Sequence, residues 1–203
     1  MESLELTPTG LALGPRSRRA YHRLAAQAPT RWGRFSSIIR PHKTHCRSSA
    51  MSSVRNLQFT AEINAPATVV WRHVTSPESY KIWTSAFAEG SHFKGTWEQG
   101  SKIRFLSPSG DGMVAEIAES RENEFISIRH LGFIANGVED TTSDAVKAWA
   151  PAYENYTFLA APAGTKMLVD QDVSVEWEEY LSKAWPKALV LLKKLSESSA
   201  SPA

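Results

Sequence analysis

Two polar residues stand where strand periodicity places apolar neighbours. His130 shares one face of a predicted strand with Ile128, and Gln171 shares one with Val169. A buried imidazole or amide without a partner costs about 1 to 3 kcal/mol, so each side chain needs a hydrogen bond. The partner can be a neighbour such as Tyr156, the backbone, a water molecule or a ligand. A histidine can also act as an acid or a base near neutral pH.

The standard catalytic signatures are absent from the sequence. It contains no Gly-x-Ser-x-Gly elbow, phosphate-binding loop, dinucleotide glycine pattern or His-Glu-x-x-His helix. His42 and His45 lie close together beside Cys46, but no second pair at ligand spacing accompanies them, so they are interpreted as solvated side chains. The sequence therefore predicts no metal site, no cofactor and no catalytic residue.

The elements that position the two polar residues form an α+β pattern over residues 56–198. A strand at 57–63 precedes a helix that ends at Ser76-Pro77 and a short helix at 78–83. Further strands are predicted at 91–97, 102–106, 113–118, 125–131, 153–161 and 165–175. The long helix at 176–197 has one apolar stripe, and Pro186 predicts a kink in it.

A curved antiparallel sheet that wraps one long helix leaves space between the two, so we expect a helix-grip domain with an internal cavity. The interval 135–151 is interpreted as a mobile loop with a helical turn, and the cavity mouth is placed where it meets the terminal helix. The candidate ligand-binding residues are Phe105, Met113, Ala115, His130, Trp149, Tyr153, Tyr156, Gln171, Trp177 and Tyr180. Trp149, Tyr153 and Trp177 are assigned to the mouth.

Composition and charge narrow the range of partners. The 203 residues are 42% hydrophobic and 22% charged, which excludes collagen and disordered chains, and no apolar run reaches the roughly 20 residues of a membrane span. Cys46 is the single cysteine, so no internal disulfide forms. Residues 1–56 hold ten Lys and Arg against two Glu, a formal +8, whereas the remainder holds 13 basic and 19 acidic residues, a formal −6. An acidic domain argues against nucleic acid as a partner.

Residues 1–55 are interpreted as a basic leader outside the domain, and 199–203 as a tail. Residues 16–28 project as an amphipathic helix of the kind found in presequences, and Arg34-Phe35-Ser36 suits a processing site. The acidic opening and the internal Met51 instead favour a disordered tail or upstream sequence. A cleaved leader predicts the interior of a mitochondrion or plastid; otherwise the cytoplasm is expected.

Several short motifs are similar to those of a known superfamily. They are Ile63-Asn64-Ala65-Pro66, Val70-Trp71, Trp83, Gly100, Phe125-Ile126-Ser127-Ile128, Glu154-Asn155-Tyr156-Thr157, Gly164-Thr165 and Trp185-Pro186-Lys187-Ala188-Leu189. Together they resemble the SRPBCC superfamily of START-like helix-grip proteins over residues 57–197. The resemblance is strongest to the branch of the heat-shock-protein-ninety ATPase activator homologues.

That resemblance implies a cavity that binds or carries a small hydrophobic molecule without catalysis. The two inward polar side chains predict in addition that a single carbonyl or hydroxyl of this molecule bonds to His130 or Gln171. Two alternatives remain open. One is a cyclase-like or hydrolase-like enzyme, in which His130 with Tyr156 or Gln171 would polarise a carbonyl. The other is a chaperone-interaction module. The activator proper carries a separate folded domain ahead of this one, and the leader here is too short and polar to replace it.

The leader is predicted to be dispensable for folding because it has little apolar surface to bury. A chain that begins at Met51 should melt within a few degrees of the 203-residue chain, as measured by calorimetry. A large loss of stability on truncation would show that the leader packs on the domain.

Overall fold

The sequence alternation forms a sheet in the computed structural model, which describes residues 54–200. The strands are β1 (Val54–Ile63), β2 (His92–Lys94), β3 (Lys102–Leu106), β4 (Gly112–Arg121), β5 (Phe125–Ala135), β6 (Val138–Asp140), β7 (Ala152–Ala161) and β8 (Gly164–Ser174). The helices are α1 (Ala67–Thr75), α2 (Pro77–Trp83), α3 (Asp144–Lys147) and α4 (Val175–Ala200), with a 3-10 turn at Thr84–Ala86.

The sheet is antiparallel throughout, curved and open. Its strand order is β1-β8-β7-β5-β4-β3-β2, and β6 pairs with the C-terminal part of β5. β1 and β8 pair in continuous register from Val54 opposite Ser174 to Ile63 opposite Thr165. The predicted α+β class, with a curved antiparallel sheet, two short early helices and a long C-terminal helix, is confirmed.

Prolines set the boundaries of the early helices. Ser76 has extended backbone angles (φ −77°, ψ 133°) because the ring of Pro77 disfavours a helical residue before it. α1 therefore ends at Thr75, and α2 begins at Pro77, whose missing N–H is not needed in a first turn. Both helices pack against α4, through buried residues that include Val70 and Trp83.

α4 covers the concave face of the sheet as one helix that runs through Pro186. Its buried residues are Ala184, Trp185, Ala188, Leu189, Leu192 and Ser196. The indole of Trp185 contacts the rings of Phe59, Phe87 and Tyr156, at centroid distances of 5.0 to 5.9 Å. These rings belong to elements far apart in sequence, so Trp185 joins the helix to the rest of the core.

A β-bulge in β5 changes which residues face α4. Ala115 lies opposite His130, but Val114 lies opposite Gly132, which leaves Leu131 without a partner in β4. The side-chain alternation is therefore reset, as a single extra residue requires. In a regular strand, Phe133 and His130 would lie on opposite faces because three positions separate them. With the bulge between them, both face the concave side, Phe133 opposite Met113 and His130 opposite Ala115.

Several elements differ from their predicted bounds. β4 and β5 are longer than predicted, and α4 extends to Ala200, into the predicted tail. The strand predicted at 91–97 covers only His92–Lys94, and β1 begins at Val54, two residues inside the segment assigned to the leader. The interval 135–151 contains β6 as well as the predicted helical turn. Asn136 and Gly137, both with positive φ, make the tight connection from β5 to β6.

The leader, with its amphipathic segment, Arg34-Phe35-Ser36, His42, His45 and Cys46, lies outside the described residues except for its last two positions. Within residues 54–200, no helix combines the length and the apolar composition that crossing a bilayer requires.

Trp185→Ala should lower the free energy of unfolding by about 3 to 5 kcal/mol, because it removes a buried indole at the centre of the helix–sheet contact. Trp149→Ala should cost much less, since Trp149 is partly exposed and lies outside the helix. Val190→Ala, at a residue of α4 that is 51% exposed, is the control and should change stability by under about 0.5 kcal/mol. Urea denaturation measures all three, and equal losses for the two tryptophans would contradict this division.

Candidate functional site

Four polar side chains meet beneath α4, and we call them the Glu154 cluster: His130, Glu154, Tyr156 and Gln171. Gln171 Nε2 donates to Glu154 Oε2 at 2.6 Å, and the Tyr156 hydroxyl donates to Glu154 Oε1. His130 Nε2 lies 3.3 Å from Glu154 Oε2. All four residues are buried. The carboxylate therefore serves as the common acceptor for side chains from β5, β7 and β8.

Trp185 connects the cluster to the terminal helix. Its indole Nε1 donates to Gln171 Oε1 at 2.7 Å, which leaves the amide nitrogen of Gln171 for Glu154. Gln171 therefore spans the distance between helix and carboxylate, with both ends of its amide bonded. The inward placement predicted for His130 and Gln171 is observed, and their shared partner is a protein side chain.

Sequence reasoning did not include Glu154 among the site residues. Strand alternation carries the signal, because Glu154, Tyr156 and Phe158 occupy every second position of β7 and all three are buried. A glutamate in a strand is ordinarily exposed, and its burial here depends on donors from other strands.

Burial also acts on the tyrosines beside Glu154. Desolvation, followed by the nearby negative charge of Glu154, raises the pKa of Tyr156 well above 10. The same two causes in the same order raise the pKa of Tyr80 well above 10. Both hydroxyls therefore keep their protons over the whole neutral range, and Tyr156 stays a donor to the carboxylate.

A row of partly exposed apolar residues lies one step further along the concave face. Phe93, Phe105, Met113 and Phe133 face one another across β2, β3, β4 and β5. The Trp149 ring packs on Phe133 at 4.7 Å between centroids. We call these five residues the upper row, and its exposure contrasts with the buried cluster below it.

His130 lies between the Glu154 cluster and the upper row. Its ring is 5.9 Å from that of Phe105, and Ala115 is its partner across the sheet. His130 is only 4% exposed, and its Nδ1 atom has no hydrogen-bond partner within residues 54–200. A buried ring nitrogen without a partner costs free energy that a bound polar group would recover.

The structure separates the ten predicted site residues into groups. His130, Tyr156 and Gln171 join the cluster; Phe105, Met113 and Trp149 belong to the upper row; and Ala115, which has no exposed surface, forms the floor beside His130. Trp177 and Tyr180 pack edge to face at the start of α4, and the Tyr180 hydroxyl donates to the carbonyl of Phe87.

The placement of Tyr153 at the mouth needs correction. Tyr153 precedes the inward-facing Glu154, so alternation directs its ring to the outer face, where it is 37% exposed. Tyr153 lies opposite Arg129 of β5. The hydrogen bond from Arg129 to Glu116 is the main cause that raises the pKa of Arg129, and Tyr153 contributes to the same shift.

The depressions on the surface of the described residues include one of about 650 Å³ and one of about 460 Å³. The first is lined by residues that include Trp71, Phe93 and Trp97, and the second by residues of β1 and α4 around Pro186. No member of the Glu154 cluster lines either depression. Aromatic side chains instead pack against the cluster, so access to His130 requires side chains of the upper row to move.

The chain matches no protein-family model and no curated protein. Solved structures do resemble it. A Rhizobium leguminosarum protein superposes with a TM-score of 0.55 at 17% identity, over 71% of this chain and 95% of that one. Chromobacterium violaceum protein CV1439 gives 0.53 at 20% identity, over 70% and 96% of the two chains.

DynU16, a protein of the dynemicin biosynthetic locus, gives a TM-score of 0.52 at 17% identity. The similarity covers 71% of this chain and 48% of DynU16, so this chain spans about half of that protein's length. At these identities the comparisons establish the shared fold alone.

Tyr156 should resist ionisation until the protein unfolds, because burial and Glu154 disfavour its phenolate. The test is a rapid jump to about pH 11, about one unit above the ordinary tyrosine pKa. We expect the phenolate absorbance recorded immediately, before the protein unfolds, to be the same in Tyr156→Phe as in the wild type. Unfolding should then add phenolate absorbance in the wild type, because Tyr156 ionises at a lower pH in the unfolded state than in the folded state. For the same reason the free energy of unfolding should fall as the pH rises through this range.

Tyr153→Phe is the matched control, because its ring is exposed on the opposite face of the same strand. It should lower the immediate absorbance. Equal losses from the two substitutions would contradict the protected state of Tyr156.

Proposed function

We propose that the domain binds a small, mainly apolar molecule between the sheet and α4, with a polar group of that molecule bonded to His130. The buried, unpartnered Nδ1 atom of His130 carries this proposal. A ligand that bonds to this nitrogen would recover a hydrogen bond that none of the described residues supplies.

The upper row supports the apolar part of the proposal. Phe105, Met113 and Phe133 are partly exposed and face the concave side, so rotation of these side chains would open a path to His130. A pocket that opens by such movement is a minor conformation made dominant by its ligand. The motifs that resemble SRPBCC proteins, whose members share a ligand cavity, favour the same function.

A second candidate is an enzyme that performs acid–base chemistry in the same place. The convergence of His130, Tyr156 and Gln171 on Glu154 favours it, because a carboxylate beside an imidazole fixes the orientation of the ring. Liquid chromatography with mass spectrometry distinguishes the candidates: a carried molecule is recovered unchanged, whereas an enzyme converts it to a product with a different mass or, for an isomeric cyclisation product, a different retention time. Molecules that co-purify with the native protein are the first to test.

Met113→Trp should weaken the binding of Nile red, an uncharged environment-sensitive dye, by at least about tenfold. The larger side chain would occupy the path above His130. Ala115 also faces inward, but a Trp there would overpack a site with no exposed surface. Fluorescence titration measures the affinity, and circular dichroism checks the fold.

Leu159→Trp provides the control, since Leu159 is 43% exposed on the outer face of β7. It adds the same indole without approaching the upper row, so binding should remain at the wild-type level. Undiminished binding by Met113→Trp would place the dye elsewhere and favour the chaperone-interaction module, which a pull-down with the heat-shock-protein-ninety chaperone would then examine.

A further inference from the structure

The hydrogen bonds of the Glu154 cluster run in one direction, and the direction is set by Trp185. An indole nitrogen can only donate, so the Gln171 atom that lies 2.7 Å from Trp185 Nε1 must be the carbonyl oxygen. The amide nitrogen of Gln171 consequently faces Glu154 Oε2, at 2.6 Å. Glu154 Oε2 therefore accepts a hydrogen bond from Gln171.

The second oxygen of Glu154 is also an acceptor. It receives the hydroxyl proton of Tyr156, which holds that proton because its phenolate is disfavoured by burial. Both carboxylate oxygens thus present lone pairs to their neighbours. His130 Nε2, at 3.3 Å from Oε2, makes a favourable contact only if it carries the hydrogen.

A neutral imidazole has one N–H donor and one acceptor nitrogen. If Nε2 carries the hydrogen toward Glu154, then Nδ1 is left as a bare lone pair. Nδ1 is buried and has no partner among the described residues, and the adjacent ring of Phe105 offers no hydrogen bond. His130 Nδ1 is therefore a hydrogen-bond acceptor to which none of the described residues donates.

We propose that the ligand presents a hydrogen-bond donor, a hydroxyl or an N–H group, to Nδ1 of His130. This inference rests on the proposed function and specifies the chemistry of its ligand. A ketone or an ether of the same shape would set an oxygen lone pair against the nitrogen lone pair. The site should therefore select alcohols and phenols over their carbonyl or ether counterparts.

The tautomer of His130 can be measured without any ligand. Nitrogen-15 NMR of the histidine rings, recorded at about pH 8 to 9, should show Nε2–H and a bare Nδ1 for His130. The signal is assigned by its loss in His130→Gln. Glu154→Gln should weaken the preference, because its amide can donate to Nε2. An Nδ1–H tautomer in the wild type would overturn the inference.

Two probes test the selectivity. 2-Naphthol and 2-methoxynaphthalene share one bicyclic body, but only the first has a donor. We expect 2-naphthol to bind about three- to tenfold more tightly, the effect of about one hydrogen bond, in competition with Nile red. His130→Phe should abolish the preference, whereas Tyr153→Phe, on the outer face, should retain it.

The outcomes separate the two proposals. Equal affinities for the two probes, both weakened by Met113→Trp, would leave the proposed function in place and overturn the donor selectivity. Binding of neither probe, or binding of both that Met113→Trp leaves unchanged, would overturn the proposed site and the selectivity with it.

Discussion

The carboxylate of Glu154 beneath the terminal helix is the constraint on which the rest of the fold depends. Removing a carboxylate from water costs several kcal/mol, about the whole margin of a small domain's stability, unless donors surround it. The donors come from three strands, and Gln171 is itself held by Trp185. Apolar packing tolerates small slides of a helix on a sheet, but this chain of bonds does not. The position of α4 along the concave face is thereby specified.

The concave face is divided into two zones that differ in burial and polarity. Below His130, residues such as Tyr156 and Trp185 are buried and mutually bonded, and they hold the sheet to the helix. Above it, the side chains of the upper row are partly exposed and pack mainly on one another and on neighbouring rings. A buried polar level and a partly exposed apolar level thus share one surface, and His130 lies at the boundary between them.

The sequence predicts features that depend on near neighbours and misses those that depend on distant ones. Alternation places His130 inward, and Pro77 separates α1 from α2, because both effects act within a few residues. The burial of Glu154 depends on donors that the sheet brings together. The residue type alone predicts an exposed position, because a glutamate in a strand is ordinarily exposed. The interval before β7 did contain a readable signal for β6, since Asn-Gly at 136–137 is typical of a tight hairpin. Tyr153 was assigned to the cavity mouth because it is aromatic, although strand alternation places it on the opposite face from Tyr156.

The bulge at Leu131 also has an evolutionary consequence. A Cβ atom on Gly132 would lie 1.9 Å from the Asp140 carbonyl oxygen, so this position accepts only glycine while β6 runs beside it. Loss of the single codon for Leu131 would remove the bulge and restore regular pairing, with Gly132 still opposite Val114 and Phe133 still opposite Met113 on the concave face. The number of residues in this part of β5 can thus change without moving Phe133 away from His130, whereas Gly132 cannot be exchanged for another residue while β6 is present.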